Sequence, residues 1–134
     1  SRRLESQVRL LGAVDGGGLR DAYAAAQVFA MPFAHEGFGI AALEAMAFGL
    51  PVIGSTAGGV SEFVRHAENG FLVAARDPAA VRRHIEEFHR NRDRLAAMGR
   101  AALTTFSAHP TWERSMNRGC EFLEGLAAAT HPHA

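Results

Sequence analysis

Two carboxylates set eight positions apart, Glu36 and Glu44, are the residues in this chain best placed to do chemistry. Glu44 sits in Ile40-Ala41-Ala42-Leu43-Glu44-Ala45-Met46-Ala47-Phe48, a helical stretch that is apolar around its circumference except at that residue. Such a helix is expected to be buried on most sides. At about 100° per residue Glu44 falls between Ile40 and Phe48, on a bulky flank. A carboxylate held there without a partner is costly, so Glu44 must meet a donor, open onto a cleft, or reach water from the helix edge.

Glu36 belongs to His35-Glu36-Gly37-Phe38-Gly39, between an apolar run that reads as a strand and the start of that helix. In parallel sheets this is where ligands bind, outside the carboxyl ends of the strands. The glycines let backbone approach a ligand closely, and the unpaired amides of a helix start favour an anion such as a diphosphate. The competing reading is a plain turn, with Glu36 merely well placed beside the positive end of the helix dipole. Gly37-x-Gly39-x-x-Ala42 also satisfies the loose dinucleotide fingerprint, with Glu62 downstream as the acid for a ribose. That makes a nicotinamide-binding domain a rival, although the fingerprint belongs directly after its strand and here Pro32 to Glu36 intervene.

The remaining residue types narrow the chemistry. All 14 basic residues are arginine and none is lysine, which excludes a Schiff base and a phosphate site of the P-loop lysine type within this chain. They balance 14 acidic residues, so no long-range field favours nucleic acid. Cys120 is the lone cysteine and reads as a small buried apolar residue, with no internal disulfide and no zinc-ligand spacing around it. No cofactor or metal is expected. No run of about 18 uncharged apolar residues exists and the start is not a signal peptide, so a cytoplasmic location is expected. Arg82, Arg83, Arg90, Arg92, Arg94 and Arg100 crowd two helices; the pattern reads as a solvated helix face, with a peripheral contact to the inner face of a membrane as the alternative.

Four short apolar runs alternate with helical stretches. The runs Val8 to Gly12, Val28 to Met31, Pro51 to Gly54 and Gly70 to Val73 read as strands; Leu19 to Gln27, Ile40 to Phe48 and Val60 to Arg65 read as the helices between them. Strand–helix alternation implies parallel crossovers, and continuous apolar runs imply strands covered on both faces. Helices are expected from Pro78 to Arg90, capped by Asp77, from Asp93 to Thr105, and from Trp112 to Ala128, with Trp112 packing the last one. The expected fold is therefore α/β, a three-layer Rossmann-like parallel sheet of about four strands followed by C-terminal helices. It reads as one domain over 1–130, truncated on its N-terminal side, with a frayed tail at 131–134. His84 and His89 fall on different helix faces and read as surface residues, and His35 reads as scaffold or as a side chain reaching the cleft.

Taken in order, Glu36-Gly37-Phe38-Gly39, Glu44-Ala45-Met46-Ala47, Gly49-Leu50-Pro51-Val52, Gly58-Gly59-Val60-Ser61-Glu62 and Glu68-Asn69-Gly70-Phe71-Leu72-Val73 resemble the C-terminal, donor-binding domain of the retaining GT-B glycosyltransferases of family four. The resemblance runs from about Val8 to Phe106. It implies that Glu36 and Glu44 form the E-x7-E motif, with Glu36 at the catalytic centre touching donor-sugar hydroxyls beside the reacting carbon. It further implies that the amides of Gly37, Phe38, Gly39 and Ile40 meet sugar and phosphate, and that Glu44 binds the ribose hydroxyls. Gly58-Gly59 would face the interdomain cleft, and Glu62 would be structural. The implied reaction is transfer of a sugar from a nucleotide-diphosphate sugar with retention and without a required metal. The arginine and lysine that stabilise the leaving phosphate, and the acceptor-binding N-terminal domain, would lie upstream of Val8, so this chain alone is expected to bind donor weakly and transfer no sugar. The alternative within the resemblance is a noncatalytic module that binds a nucleotide sugar.

Overall fold

The computed structural model describes residues 7–35 and 37–130. Three parallel strands, β1 (Phe29–Met31), β2 (Val52–Ser55) and β3 (Gly70–Val73), form a sheet in the order β1-β2-β3. Phe29 pairs with Val52 and Met31 with Gly54, while Ile53 pairs with Phe71 and Ser55 with Val73. Helix α1 (Gly16–Ala25) precedes β1, α2 (Ile40–Ala47) joins β1 to β2, and a 3₁₀ turn (Gly59–Glu62) leads to β3. Helices α3 (Pro78–Arg90), α4 (Arg92–Ala108) and α5 (Trp112–Thr130) complete the described residues.

The α/β reading holds, with one strand fewer than expected. Val8 to Leu11 pairs with no strand among the described residues, and Val8, Leu10 and Leu11 are exposed. β-prone composition favours an extended chain, but a strand exists only where a neighbour supplies its hydrogen bonds. Helix α1 also starts earlier than expected, inside the glycine run, because the Asp15 side chain accepts the Gly18 amide at 2.8 Å and caps the helix there.

Every residue of β2 is buried, as a central strand covered on both faces requires. Val52 turns to one face, into a cluster with Met31, Ala42, Met46, Val60, Phe63 and Ala102. Ile53 turns to the other, among Phe71, Val73, Phe88, Leu95 and Met98. Helix α4 reaches both clusters, through Ala102 to the first and through Leu95 and Met98 to the second. Asp77 caps α3 by accepting the Ala80 amide at 2.9 Å, as expected, and Asn91 caps α4 by accepting the Arg94 amide at 2.9 Å.

Among the described residues two polar side chains are buried in this frame: Ser55, whose Oγ accepts the Ala57 amide at 3.1 Å, and Asn69. Asn69 is fully buried; its oxygen accepts the Arg65 amide at 2.7 Å, and its nitrogen donates to the Phe63 carbonyl at 2.9 Å and to Thr105 Oγ1 at 2.8 Å. Thr105 in turn donates to the Ala101 carbonyl, so Asn69 ties the entry to β3 onto α4 with its polar atoms paired.

The last helix differs from expectation. Trp112 is 80% exposed and Cys120 is a free, exposed thiol; no side chain of α5 from Trp112 to Ala127 is buried. Trp112 was expected to pack this helix and Cys120 to be buried, but the rest of the described chain does not cover them.

Candidate functional site

Helix α2 carries two unlike faces. Ala42, Ala45 and Met46 have no exposed surface, whereas Ile40 is 66% exposed, Phe48 39%, and Glu44 between them is exposed too. The helix is buried or half-buried on its other sides, as expected; what is corrected is the flank of Ile40, Glu44 and Phe48, which faces outward and puts Glu44 on a solvated stripe. Glu44 therefore escapes the cost of burial, and it also finds a partner. The Tyr23 hydroxyl, brought over by α1, lies 3.4 Å from Glu44 Oε2 and 3.2 Å from the Ala41 carbonyl. The phenol's pKa lies above its ordinary value, first through burial and then through the charge of Glu44 and the hydrogen bond to it.

Gly16, Leu19, Arg20, Tyr23, Glu44 and Phe48 line a groove of about 390 Å³ between α1 and α2. Tyr23 is its best-fixed wall: the ring is 8% exposed and packs on Phe48 at 5.3 Å and Phe29 at 6.0 Å between centroids. A somewhat larger concavity of about 420 Å³, lined by Glu62, Phe63, Arg65, Thr104, Thr105 and His109 among others, shares no residue with this groove or with the loop at 37–39. The groove beside Glu44 is the better candidate, because it holds the carboxylate of the otherwise apolar helix α2.

The loop that enters α2 is held from below. Gly39 has φ of 87°, a left-handed conformation that favours glycine, and its carbonyl accepts the Ala42 amide at 2.9 Å to start the helix. The Gly59 amide donates to the Gly37 carbonyl at 3.2 Å. The two backbones lie so close that a Cβ on Gly59 would run into the Gly37 carbonyl and the Phe38 Cα. The half-buried Phe38 ring packs on Phe63 at 5.4 Å and on His109 at 5.6 Å. Of the singled-out residues, then, Gly37 is exposed, Gly39 is buried, Phe38 anchors the loop by its ring, and Ile40 and Glu44 face outward one turn apart. Glu36 lies outside the described residues.

Three contributors escaped the sequence reading: Tyr23, the contact of Gly59 with Gly37, and the ring of His109. Only Tyr23 carried a signal, as the one tyrosine of the chain on an otherwise apolar helix flank, where its hydroxyl needs a partner.

Several smaller expectations also meet the structure. His84 is not a surface residue: its side chain is only 17% exposed and stacks on Phe71 with 3.8 Å between centroids, while His89 and His35 are exposed. Arg82 and Arg90 pair with Glu86, and Arg94 with Glu87, as a solvated, internally neutralised helix face does. Among the described residues no group of three or more His, Cys, Asp or Glu side chains is placed to hold a metal, and no helix is long and apolar enough to cross a membrane.

Comparison with known proteins points the same way. The family described as glycosyl transferases group 1 matches residues 1–105. The chain is 39% identical over 118 residues to a D-inositol 3-phosphate glycosyltransferase of Streptomyces scabiei, covering 86% of this chain and 25% of that protein. It is 38% identical over 114 residues to a GDP-mannose-dependent alpha-(1-6)-phosphatidylinositol monomannoside mannosyltransferase of Mycobacterium tuberculosis, covering 80% and 30%. Among solved structures, sucrose-phosphate synthase from Thermosynechococcus elongatus superposes with a TM-score of 0.82 at 32% identity, over 93% of this chain and 32% of that one. Anabaena HepE in complex with UDP-glucose superposes with a TM-score of 0.71 at 26% identity, over 93% and 33%. The chain thus spans about a quarter to a third of the length of these proteins.

Proposed function

This chain belongs to the glycosyl transferases group 1, and on that premise we propose that it is the donor-binding part of an enzyme that moves a sugar from a nucleoside-diphosphate sugar to an acceptor with retention of anomeric configuration. The observation that carries this reading is Glu44, an exposed carboxylate on an otherwise apolar helix, set in a groove and tied to the protein by one long hydrogen bond from Tyr23. A carboxylate so placed keeps acceptor lone pairs for the vicinal hydroxyls of a ribose. A nucleotide anchored there would lie beside the entry to α2, where the Gly37, Phe38, Gly39 and Ile40 amides offer donors to the diphosphate and the sugar. Negative charge growing on the leaving phosphate is what such preorganised amides stabilise, so the chemistry calls for no metal or cofactor. Glu36 is assigned to the donor-sugar hydroxyls beside the anomeric carbon. The binding of UDP-glucose by the structural neighbour HepE supports the class of ligand. The greater length of the relatives supports an acceptor-binding domain elsewhere in the same protein.

The test is a thermal-shift panel of UDP- and GDP-sugars on the chain and on Glu44→Ala. At least one donor is expected to raise the melting temperature of the wild type, and the substitution is expected to abolish that shift. An equal shift in the variant refutes the ribose role. The chain alone should release no sugar nucleotide from donor in the presence of candidate acceptors, and turnover by the isolated chain would refute its assignment as one half of the site.

A further inference from the structure

The contact between Tyr23 and Glu44 has an unusual economy of protons. A phenol donates one hydrogen bond, yet the Tyr23 hydroxyl faces two acceptors, the Ala41 carbonyl at 3.2 Å and Glu44 Oε2 at 3.4 Å. The hydroxyl serves one of them at a time, or both imperfectly. Its oxygen cannot move to improve either bond, because the ring is held between Phe29 and Phe48 and is almost fully buried. The Glu44 carboxylate, by contrast, is exposed on a helix flank, and among the described residues its hydrogen bond is the one from Tyr23. The fixed partner therefore sets the geometry of the mobile one.

We propose that Tyr23 is a positioning residue for the nucleotide subsite: its hydroxyl holds the Glu44 carboxylate turned into the α1–α2 groove, and turns its hydrogen bond to the Ala41 carbonyl when ligand hydroxyls take over the carboxylate. This rests on the reading of Glu44 as the ribose ligand. In the free protein the phenol occupies one carboxylate oxygen weakly, which selects the rotamer facing Gly16, Leu19 and Arg20 across the groove. When a vicinal diol donates to Glu44, the phenolic proton loses nothing by turning to Ala41, since that acceptor is already within reach. No polar group is stranded in either state, so the handover carries little penalty.

Tyr23→Phe keeps the ring packing and deletes only the hydroxyl. Binding of UDP and of GDP to the chain is measured by titration calorimetry for the wild type, Tyr23→Phe, Glu44→Ala and the double variant, using the nucleotide that the wild type binds more tightly. Tyr23→Phe is expected to weaken binding about tenfold, Glu44→Ala by more, and the double variant no further than Glu44→Ala, because Tyr23 acts through Glu44. The same nucleotide lacking its 2′-hydroxyl should show a smaller penalty from Tyr23→Phe. Wild-type affinity in Tyr23→Phe with weakened binding in Glu44→Ala overturns the positioning role alone. Strictly additive losses overturn it as well, by showing that the hydroxyl acts apart from Glu44. Undiminished binding in Glu44→Ala, or no binding by the wild type, overturns the ribose reading and this inference with it.

Discussion

Asn69 and Glu44 are both polar side chains set among apolar neighbours, and the fold treats them in opposite ways. Asn69 is fully buried and its amide is paired on both sides, to the Arg65 amide, the Phe63 carbonyl and Thr105. Glu44 is exposed and has one long bond from a hydroxyl that another acceptor also claims. A sealed and satisfied polar group contributes to a unique structure, whereas an open and half-satisfied one retains capacity for a ligand. The closed half of the molecule, around β2, β3 and α4, is where stability resides. The open groove between α1 and α2 is where binding is expected.

The sharpest way to break this contrast is Asn69→Ala. It strands buried donors and acceptors on both β3's entry and α4, and a loss of about 3 kcal/mol in unfolding free energy is expected from urea denaturation. A loss below about 0.5 kcal/mol would show that the buried amide is not what holds the two elements together. Gly59→Ala comes next. The added Cβ meets Gly37 and Phe38 backbone, which cannot swing aside as a side chain would, and a destabilisation of about 1–3 kcal/mol is expected. Hydrogen exchange of the amides at 37–39 should quicken in that variant, and unchanged exchange would separate the two loops. Glu44→Ala sharpens the contrast from the other side: stability should stay within about 0.5 kcal/mol of wild type by the same denaturation while nucleotide binding weakens by more than about tenfold. The smallest effect belongs to Arg90→Ala, which removes an exposed pair with Glu86 and should change stability by less than about 0.5 kcal/mol.

Much of this molecule was legible as sequence. The strand–helix alternation, the helix caps at Asp77 and the placement of a glycine-rich turn before α2 all follow from short-range chemistry, and the structure bears them out. The apolar character of α2 marked Glu44 as the residue needing an explanation. The error lay in its sidedness: a helix with apolar residues all round gives no periodic signal of which face meets the core, and here Ala42 and Met46 pack into the cluster of Val52 and Ala102, and Ala45 packs with Tyr23 and Leu50, which leaves Ile40, Glu44 and Phe48 facing outward. Val8 to Leu11 failed as a strand for a related reason, because composition says that a segment can extend and says nothing of a neighbour to pair with. Trp112 was expected to pack the last helix and Cys120 to be buried, and residue type does not say whether another element covers them.

The sequence by itself determined the class of fold, the order of its motifs and the single carboxylate of α2, because these depend on periodicity, caps and residues close together in the chain. Only the tertiary structure decided that Tyr23 would stand 21 positions away in sequence and within hydrogen-bond reach of Glu44, that Gly59 would lie against Gly37, and that α2 would turn Glu44 outward. Those relations depend on how helices orient on a sheet, which is settled by the packing of all the core side chains together and is written in no short stretch of the chain.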